Sequence, residues 1–207
     1  ITAFQIFYYA LLAGLILAML GLASIVFATF KKLDTVRKHG TVMLILGVLP
    51  VISVLLILGP DKLASPMIHD ISTDTVDPPE FVEARKLRTP DENPLDYRGE
   101  ELPTIQNQFY PELGPIMSGM NRDEALFEVT RTAKDLGWEF INVDFDNGII
   151  EAYATTRVFG FVDDIVIRVR EEETGSRIDI RSVSRVGKGD LGKNAESIRQ
   201  FIRTFRP

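Results

Sequence analysis

The fold of the C-terminal half is decided by residues 164–186, which read DIVIRVREEETGSRIDIRSVSRV. Apolar and charged side chains alternate on both sides of a turn that ends at Gly175, and this period of two is typical of β-strands. Closing the turn at Gly175 places Arg168 directly opposite Asp179. The stretch therefore predicts an antiparallel hairpin with one apolar face and one face rich in arginine.

The sequence on either side of this hairpin extends it into a sheet with helices. Two further strands are predicted at 138–145 and 149–156, joined by a tight turn at Asn147-Gly148. A helix with a capping box is predicted over 121–136, and Asn194 is expected to cap a closing helix that ends near residue 205. The prediction is an α+β, two-layer domain in which a four-stranded antiparallel meander is flanked by two helices.

Residues 61–120 precede this domain and contain many prolines and acidic residues. Proline interrupts helices, so we expect extended chain here, with one helical turn near residues 80–86. Apolar residues such as Ile68, Phe81 and Phe109 recur along the segment, whereas a flexible linker would lack them. The pattern predicts an extended, Pro-rich arm that wraps the domain.

Two apolar runs, residues 4–30 and 41–59, open the chain, and each is long enough to span a bilayer as a helix. The connection, residues 31–40, carries four basic residues and one acidic residue. Short basic loops stay in the cytoplasm, so a hairpin with both termini outside the cytoplasm is predicted. Small residues recur every four positions in the first run and predict close helix packing in the membrane: Ala10, Gly14 and Ala18.

The predicted parts are the hairpin at 1–60, the arm at 61–120 and the α+β domain at 121–207. The hairpin differs in net charge from the arm and domain together. Residues 1–60 hold four basic groups and one acidic group (+3), and residues 61–207 hold nineteen basic and twenty-eight acidic groups (−9), giving −6 in total. An acidic domain does not attract nucleic acid, so no nucleic-acid partner is expected. The chain has no cysteine, which excludes disulfides and thiolate chemistry.

Patterns typical of enzymes are incomplete in this chain. The glycine-rich turn at 187–192 matches GxGxxG, but no parallel strand follows it. Ser182 or Ser184 with His69 would supply a nucleophile and a base, yet no nucleophile elbow surrounds either serine. The chain has two histidines, too few for most transition-metal sites. We expect no cofactor and no metal, and favour a protein that is not an enzyme.

Two stretches resemble the domain-of-unknown-function 1499 family: IHDISTDTVDPPEF at 68–81 and FGFVDDIVIRVREEETGSRIDIRSVSRVGKGDLGKNAESIR at 159–199. The resemblance runs from about Ile68 to the C-terminus, and the hairpin resembles that of membrane-anchored bacterial members. For a membrane-anchored bacterial member, the topology predicted above would give an inner-membrane location with both termini and the C-terminal domain on the periplasmic side. The resemblance brings no established reaction, substrate or cofactor.

The polar residues of the two stretches and of the arginine-rich face form one candidate set. They would form either a binding site or a seam, meaning the salt-bridged contact that ties the arm to the sheet. Aspartates in the arm complement arginines on the sheet, which favours the seam. The candidate residues are His69, Asp70, Asp74, Asp164, Arg168, Arg170, Asp179, Arg181, Arg185, Asp190 and Asn194, with Asp163, Ser182 and Ser184 beside them.

The expected function is that of a membrane-anchored docking or accessory protein in a larger membrane or envelope assembly. Its partners would be the membrane and other membrane or envelope subunits. The alternative is a domain that binds lipid or a small anionic ligand at the membrane surface. Its pocket would be lined by Trp138, Phe140, Tyr153 and the arginines, since arginine clusters recognise carboxylate and phosphate.

Overall fold

The computed structural model describes residues 3–97, 99 and 101–206. The chain forms two compact units, Ile1–Ala64 and Ser65–Pro207. Two long apolar helices are followed by an antiparallel sheet with shorter helices, and this confirms the α+β class. The first unit ends four residues beyond the boundary predicted at residue 60, because its second helix continues past Gly59.

The first unit is a pair of helices, α1 (Ala3–Lys31) and α2 (Asp34–Leu63). Both are long and apolar enough to cross a membrane. Regular helical geometry in α2 is interrupted at Gly59, where φ is 72° and ψ is 167°. Pro50 also lies inside α2.

Small residues let the two helices approach closely. Gly14, Ala18 and Gly21 are buried on α1. A Cβ atom added to Gly21 would lie 2.6 Å from the carbonyl oxygen of Gly40 on α2, so the contact requires glycine. Ala10, the third member of the predicted stripe, is exposed.

The second unit is built on one antiparallel sheet of six strands in the order β1-β6-β5-β4-β3, with β2 also paired with β6. The β5–β6 register has Arg168 opposite Asp179, as predicted. Two of these strands, β1 and β2, were not predicted. Each is three residues long, which is too short to show a periodic pattern in the sequence. The strands are β1 (Asp70–Ser72), β2 (Ile116–Ser118), β3 (Glu139–Asp144), β4 (Ile149–Thr155), β5 (Val162–Glu172) and β6 (Gly175–Ser184).

One face of the sheet, the inner face, packs against two helices. These are α5 (Arg122–Asp135) and α6 (Lys193–Thr204). The predicted capping box starts α5: Asn121 accepts a hydrogen bond from the backbone of Glu124, and the Glu124 carboxylate accepts one from the backbone of Asn121. The core shared by strands and helices is apolar and includes Leu126, Val129, Ile165, Ile167, Ile178, Ile180, Ile198 and Phe201.

The opposite, outer face of the sheet contacts residues from the arm. The arm contains α3 (Glu83–Leu87) and α4 (Glu101–Phe109). The helical turn expected near 80–86 is thus found slightly later, but α4 was not predicted. Pro103 is tolerated in α4 because N–H groups in the first turn have no acceptor within the helix. Apolar contacts also join arm and sheet, through Phe81, Ala84 and Leu95 with Val166 and Val183.

Candidate functional site

The candidate residues divide between the two faces of the sheet. Neighbouring strand residues point to opposite sides, so Asp163 lies on the inner face and Asp164 on the outer face. Three groups of ion pairs lie on the outer face, and one network of hydrogen-bonded polar side chains lies at the end of the inner face. The set is therefore not one site.

The first outer-face group surrounds Arg181, whose side chain is 1% exposed. Its guanidinium donates two hydrogen bonds to the Asp70 carboxylate, at 3.0 and 2.8 Å. It also donates to two backbone carbonyls of the arm, at residues 79 and 95. The rings of Phe81 and Tyr97 lie 5.3 and 5.0 Å from the guanidinium carbon. Burial raises the pKa of Tyr97 to about 12.

The second outer-face group alternates three aspartates with three arginines. Asp179 accepts from Arg170 at 2.8 Å, from Arg177 at 3.0 Å and from Arg168 at 3.2 Å. From the arm, Asp74 accepts from Arg177 at 2.5 Å, and the arm residue Asp77 accepts from Arg170 at 3.0 Å. Three negative and three positive charges therefore offset one another, and the arm supplies two of the carboxylates.

Asp74 is held in its charged form within this group. Burial by itself raises the pKa of its carboxyl group. The backbone N–H groups of Asp77 and Val76 donate to it, and Arg177 and Arg168 lie nearby, so the net effect lowers the pKa. Asp74 is therefore a permanent anion and a fixed anchor for the arm at neutral pH.

The third outer-face group centres on Asp164, which Arg88 and Arg185 both contact. Arg88, from the arm, donates to Asp164 at 2.8 Å and to the carbonyl of Val183 at 2.9 Å. Arg185 donates to Asp164 at 2.8 Å, and this hydrogen bond raises the pKa of Arg185. Each of the three groups thus joins an arm residue to the sheet, which is the arrangement that the seam requires.

The inner-face network joins β6 to the start of α6. Ser182 donates to the side-chain oxygen of Asn194 at 2.6 Å, and the Asn194 amide donates to Ser184 at 2.9 Å and to the carbonyl of His69 at 3.0 Å. Ser184 in turn donates to Asp163 at 2.6 Å. The prediction that Asn194 caps α6 is therefore wrong, because its side chain is buried in this network.

Asp190 takes the capping role instead. Its two carboxylate oxygens accept hydrogen bonds from the backbone N–H groups of Gly192 and Asn194, at 2.9 and 2.7 Å. Gly192 adopts a left-handed conformation with φ of 76° immediately before the helix. Burial raises the pKa of Asp190, although the backbone hydrogen bonds oppose this.

Asp163 is the least satisfied group of the inner network. One carboxylate oxygen accepts from Ser184, whereas the other is buried without a hydrogen-bond partner among the described residues. Burial raises the pKa of Asp163, the hydrogen bond from Ser184 lowers it, and the charge of Asp190 raises it further. The carboxyl group is therefore easier to protonate than an ordinary aspartate.

The serine–histidine arrangement considered from the sequence is not formed. Ser184 donates to Asp163, and the Nδ1 atom of His69 lies 3.3 Å from the carbonyl oxygen of Lys188. The histidine therefore does not accept the proton of the serine hydroxyl, which a nucleophilic mechanism requires. Within residues 3–97, 99 and 101–206, no three histidine or acidic side chains form a group that could hold a metal ion.

The ligand pocket considered from the sequence is also not formed. Trp138 lies in the inner core, where its ring stacks on Phe201 with 5.6 Å between ring centroids. Phe140 on β3 pairs with Ala152 on β4, which lies on the inner face. Tyr153 follows Ala152 and points to the outer face, where its hydroxyl donates to Glu139 at 2.6 Å. The three aromatic residues therefore do not line one cavity, and the arginines nearby are engaged with carboxylates.

Sequence reasoning missed two buried polar contacts that fix the arm. The carboxylate of Glu151 accepts three backbone hydrogen bonds, from residues 82, 83 and 84, at 2.8 to 3.0 Å at the start of α3. The side-chain amide of Gln106 on α4 accepts a hydrogen bond from the backbone N–H of Ser72 on β1 and donates one to its carbonyl oxygen. A glutamate among the apolar residues of β4 was an available signal, since an unpaired buried carboxylate is unfavourable.

An open groove lies along α5. Its volume is about 520 Å³, and it is lined by Met120, Asp123, Glu124, Phe127 and Glu128. Phe127 is 69% exposed. The groove combines an exposed aromatic ring with three carboxylates that already have partners: Glu128 pairs with Arg131, Glu124 caps α5, and Asp123 lies 3.6 Å from Arg122.

Comparison with curated proteins gives no match to this chain. Comparison with protein families matches residues 70–205 to the family described as "Protein of unknown function (DUF1499)". The matched region contains the outer-face ion pairs, the inner-face network and all six strands. Because the match covers more than half of the sequence, the chain belongs to the DUF1499 family.

Proposed function

We propose that this chain is a membrane-anchored docking or accessory protein of a larger membrane or envelope assembly and does not itself catalyse a reaction. The hairpin of α1 and α2 anchors it in the bacterial inner membrane. The basic connection between the helices stays in the cytoplasm, and both termini and the C-terminal unit face the periplasm. The length and apolar character of the two helices support the membrane anchor.

One observation carries the proposal: the charged groups of the outer face are engaged with one another. The carboxylates of Asp70, Asp74, Asp164 and Asp179 are each bonded to arginine. A site for an anionic substrate would offer arginines that await a ligand, whereas these already hold the arm. In this proposal the Pro-rich arm wraps a four-stranded meander and makes it a stiff platform for a partner.

The α5 groove is the docking surface in this proposal. Phe127 offers an aromatic anchor of the kind enriched in interfaces. The side chain of Asp123 is 91% exposed beside it, although it lies 3.6 Å from Arg122, and the C-terminal unit as a whole is acidic. The partner would therefore contribute an apolar side chain together with lysine or arginine.

Purification of the full chain from native membranes in mild detergent, followed by mass spectrometry, tests this proposal. We expect a stoichiometric protein partner with the native chain and its loss with Phe127→Ser. Phe145→Ser is the matched control, because Phe145 is also an exposed phenylalanine but lies on the β3–β4 turn. A solely monomeric native chain, or equal loss with both variants, would refute docking at the groove.

The same preparation separates docking from ligand binding. A lipid or small anion that stays bound to a chain without a protein partner would favour the second function. The topology is tested by a reporter fused after Pro207 that is active only outside the cytoplasm. Activity in the cytoplasm would contradict the proposed orientation.

A further inference from the structure

Three segments meet at the end of the sheet where the C-terminal unit begins: residues 65–69, 156–161 and 186–193. The last two are neighbours because Asp163 at the start of β5 pairs with Ser184 at the end of β6. The first joins them through its backbone. The N–H of Ser184 donates to the carbonyl of His69, and the N–H of Asp190 donates to that of Ile68. We call these three segments the entry end.

The entry end exposes apolar side chains from each segment. Val158 is 74% exposed and Met67 is 73% exposed, and Val186 and Leu191 are also exposed. The β4–β5 loop that presents Val158 also holds two phenylalanines, at 159 and 161, whose ring centroids lie 5.6 Å apart. Single exposed apolar residues are common, but here they are gathered at one end of the unit.

The charges of the entry end oppose those of the rest of the unit. Arg157 and Lys188 are exposed, and Lys193 is half-buried. The one acidic residue of the three segments, Asp190, is turned toward backbone N–H groups of the helix start. The three segments are thus basic at their surface, although residues 61–207 carry nineteen basic and twenty-eight acidic groups, a formal charge of −9. Asp91 and Glu92 lie beside them, on the loop whose Asn93 hydrogen-bonds to the carbonyls of Arg185 and Gly187.

Covalent connection limits how far this end can be from a membrane that holds the hairpin. Helix α2 ends at Leu63, and Met67 follows four residues later. Four residues span at most about 14 Å. The exposed apolar and basic residues are therefore at the end of the unit that the chain itself keeps near the bilayer surface.

We propose that the entry end rests on the lipid surface of the membrane. This inference depends on the membrane anchoring proposed above, but not on a protein partner. Val158 and Met67 would insert among the lipid head groups, and Arg157 and Lys188 would contact the phosphates of anionic lipid. Apolar insertion combined with basic attraction is the usual chemistry of proteins that lie on a bilayer.

The full chain reconstituted in vesicles allows a direct test. It has no cysteine, so Val158→Cys provides one position for an environment-sensitive fluorophore. Val76→Cys is the matched control: Val76 is 95% exposed and lies by Asp74, near the opposite end of the sheet. At position 158 we expect quenching by nitroxide-labelled lipid and little quenching by aqueous iodide. At position 76 we expect quenching by iodide and little quenching by the labelled lipid.

Lipid composition tests the basic residues separately. In vesicles that contain phosphatidylglycerol, quenching at 158 should exceed that in phosphatidylcholine alone. Either Arg157→Gln or Lys188→Gln should lower the equilibrium constant between the docked and released states about fivefold. This is the change expected from the usual attraction of one basic residue to anionic lipid. Lys86→Gln, an exposed lysine on α3, should leave the quenching unchanged.

Flotation of the vesicles after an alkaline wash separates the two proposals. A chain that fails to float is not anchored, and both the anchoring and this inference are then wrong. A chain that floats but shows equal iodide access at 158 and 76 is anchored without surface contact, which overturns this inference alone. Protection at 158 in native membranes but not in pure lipid would overturn it in favour of a protein contact.

Discussion

Replacing Arg181 with methionine should strongly destabilise the C-terminal unit. The substitution leaves the Asp70 carboxylate buried without its bidentate partner, a change that usually costs about 3–5 kcal/mol. Two backbone carbonyls of the arm also lose a donor, at about 1 kcal/mol each when such groups stay buried. Methionine occupies much of the space between the rings of Phe81 and Tyr97, so the loss is mainly electrostatic.

Urea unfolding of the full chain in detergent micelles measures this effect. Trp138 is the only tryptophan and is buried in the inner core, so its fluorescence reports the folded unit. We expect the free energy of unfolding to fall by about 5 kcal/mol or more for Arg181→Met, the sum of the unpaired carboxylate and the two carbonyls. Arg85→Met is the control, since its ion pair with Asp96 is exposed and should contribute less than about 1 kcal/mol.

A double variant gives the test that distinguishes charge from packing. Asp70→Asn together with Arg181→Met removes both charges, and it should recover at least half of the lost free energy. The argument fails if Arg181→Met stays within about 1 kcal/mol of the native chain. It also fails if the double variant is as unstable as the single one.

Three further changes have defined outcomes. Glu151→Leu leaves three backbone N–H groups without an acceptor and should lower the free energy of urea unfolding by about 2–3 kcal/mol, whereas Glu80→Leu, at an exposed position, should have little effect. Asp163→Asn should stabilise the unit at neutral pH, because burial raises the pKa of Asp163 and makes its charged form unfavourable in the folded chain. The difference from the native chain should vanish in acid, and an unchanged difference across pH would exclude this role. Gly21→Leu should separate α1 from α2 and increase hydrogen exchange in the hairpin, unlike Ala10→Leu, and equal exchange in the two variants would contradict the packing.

The pH effect at Asp163 has a definite sign. Its pKa is raised in the folded chain, so the folded state keeps a proton that the unfolded state has already lost. Stability from this group is therefore greatest in acid, and it falls as pH rises from the ordinary aspartate value of about 3.9 through the raised value. Asp74 has a lowered pKa and acts in the opposite direction, so the comparison with Asp163→Asn is needed to isolate one group.

The hairpin of β5 and β6 could be predicted because strand geometry is local. Alternation places Ile165 and Ile167 on one side and Arg168 on the other, and the turn fixes the register across the pair. The capping box at Asn121 is equally local, since four consecutive residues contain all its groups. These predictions depended on neighbours in the sequence, and the structure agrees with them.

The partners of the arginines could not be predicted individually. Arg170 contacts Asp77 across 93 residues of chain and Asp179 across nine, and sequence pattern shows only that opposite charges are available. Asn194 was misassigned because its amide contacts Ser182 and Ser184 on β6, twelve and ten positions earlier, while Asp190 caps the helix. The α5 groove depends on which side of a helix stays uncovered, and periodicity alone does not determine that.

The pairing of β1 with β6 also constrains when the unit becomes complete. Asp70 and Arg181 are 111 positions apart, so the ribosome finishes the arm long before it makes the strand that receives it. Contacts of such large separation form late in folding. A nascent chain stopped before β6 would display an arm with unmatched aspartates, and quality-control proteases acting on incomplete chains should cut it there first.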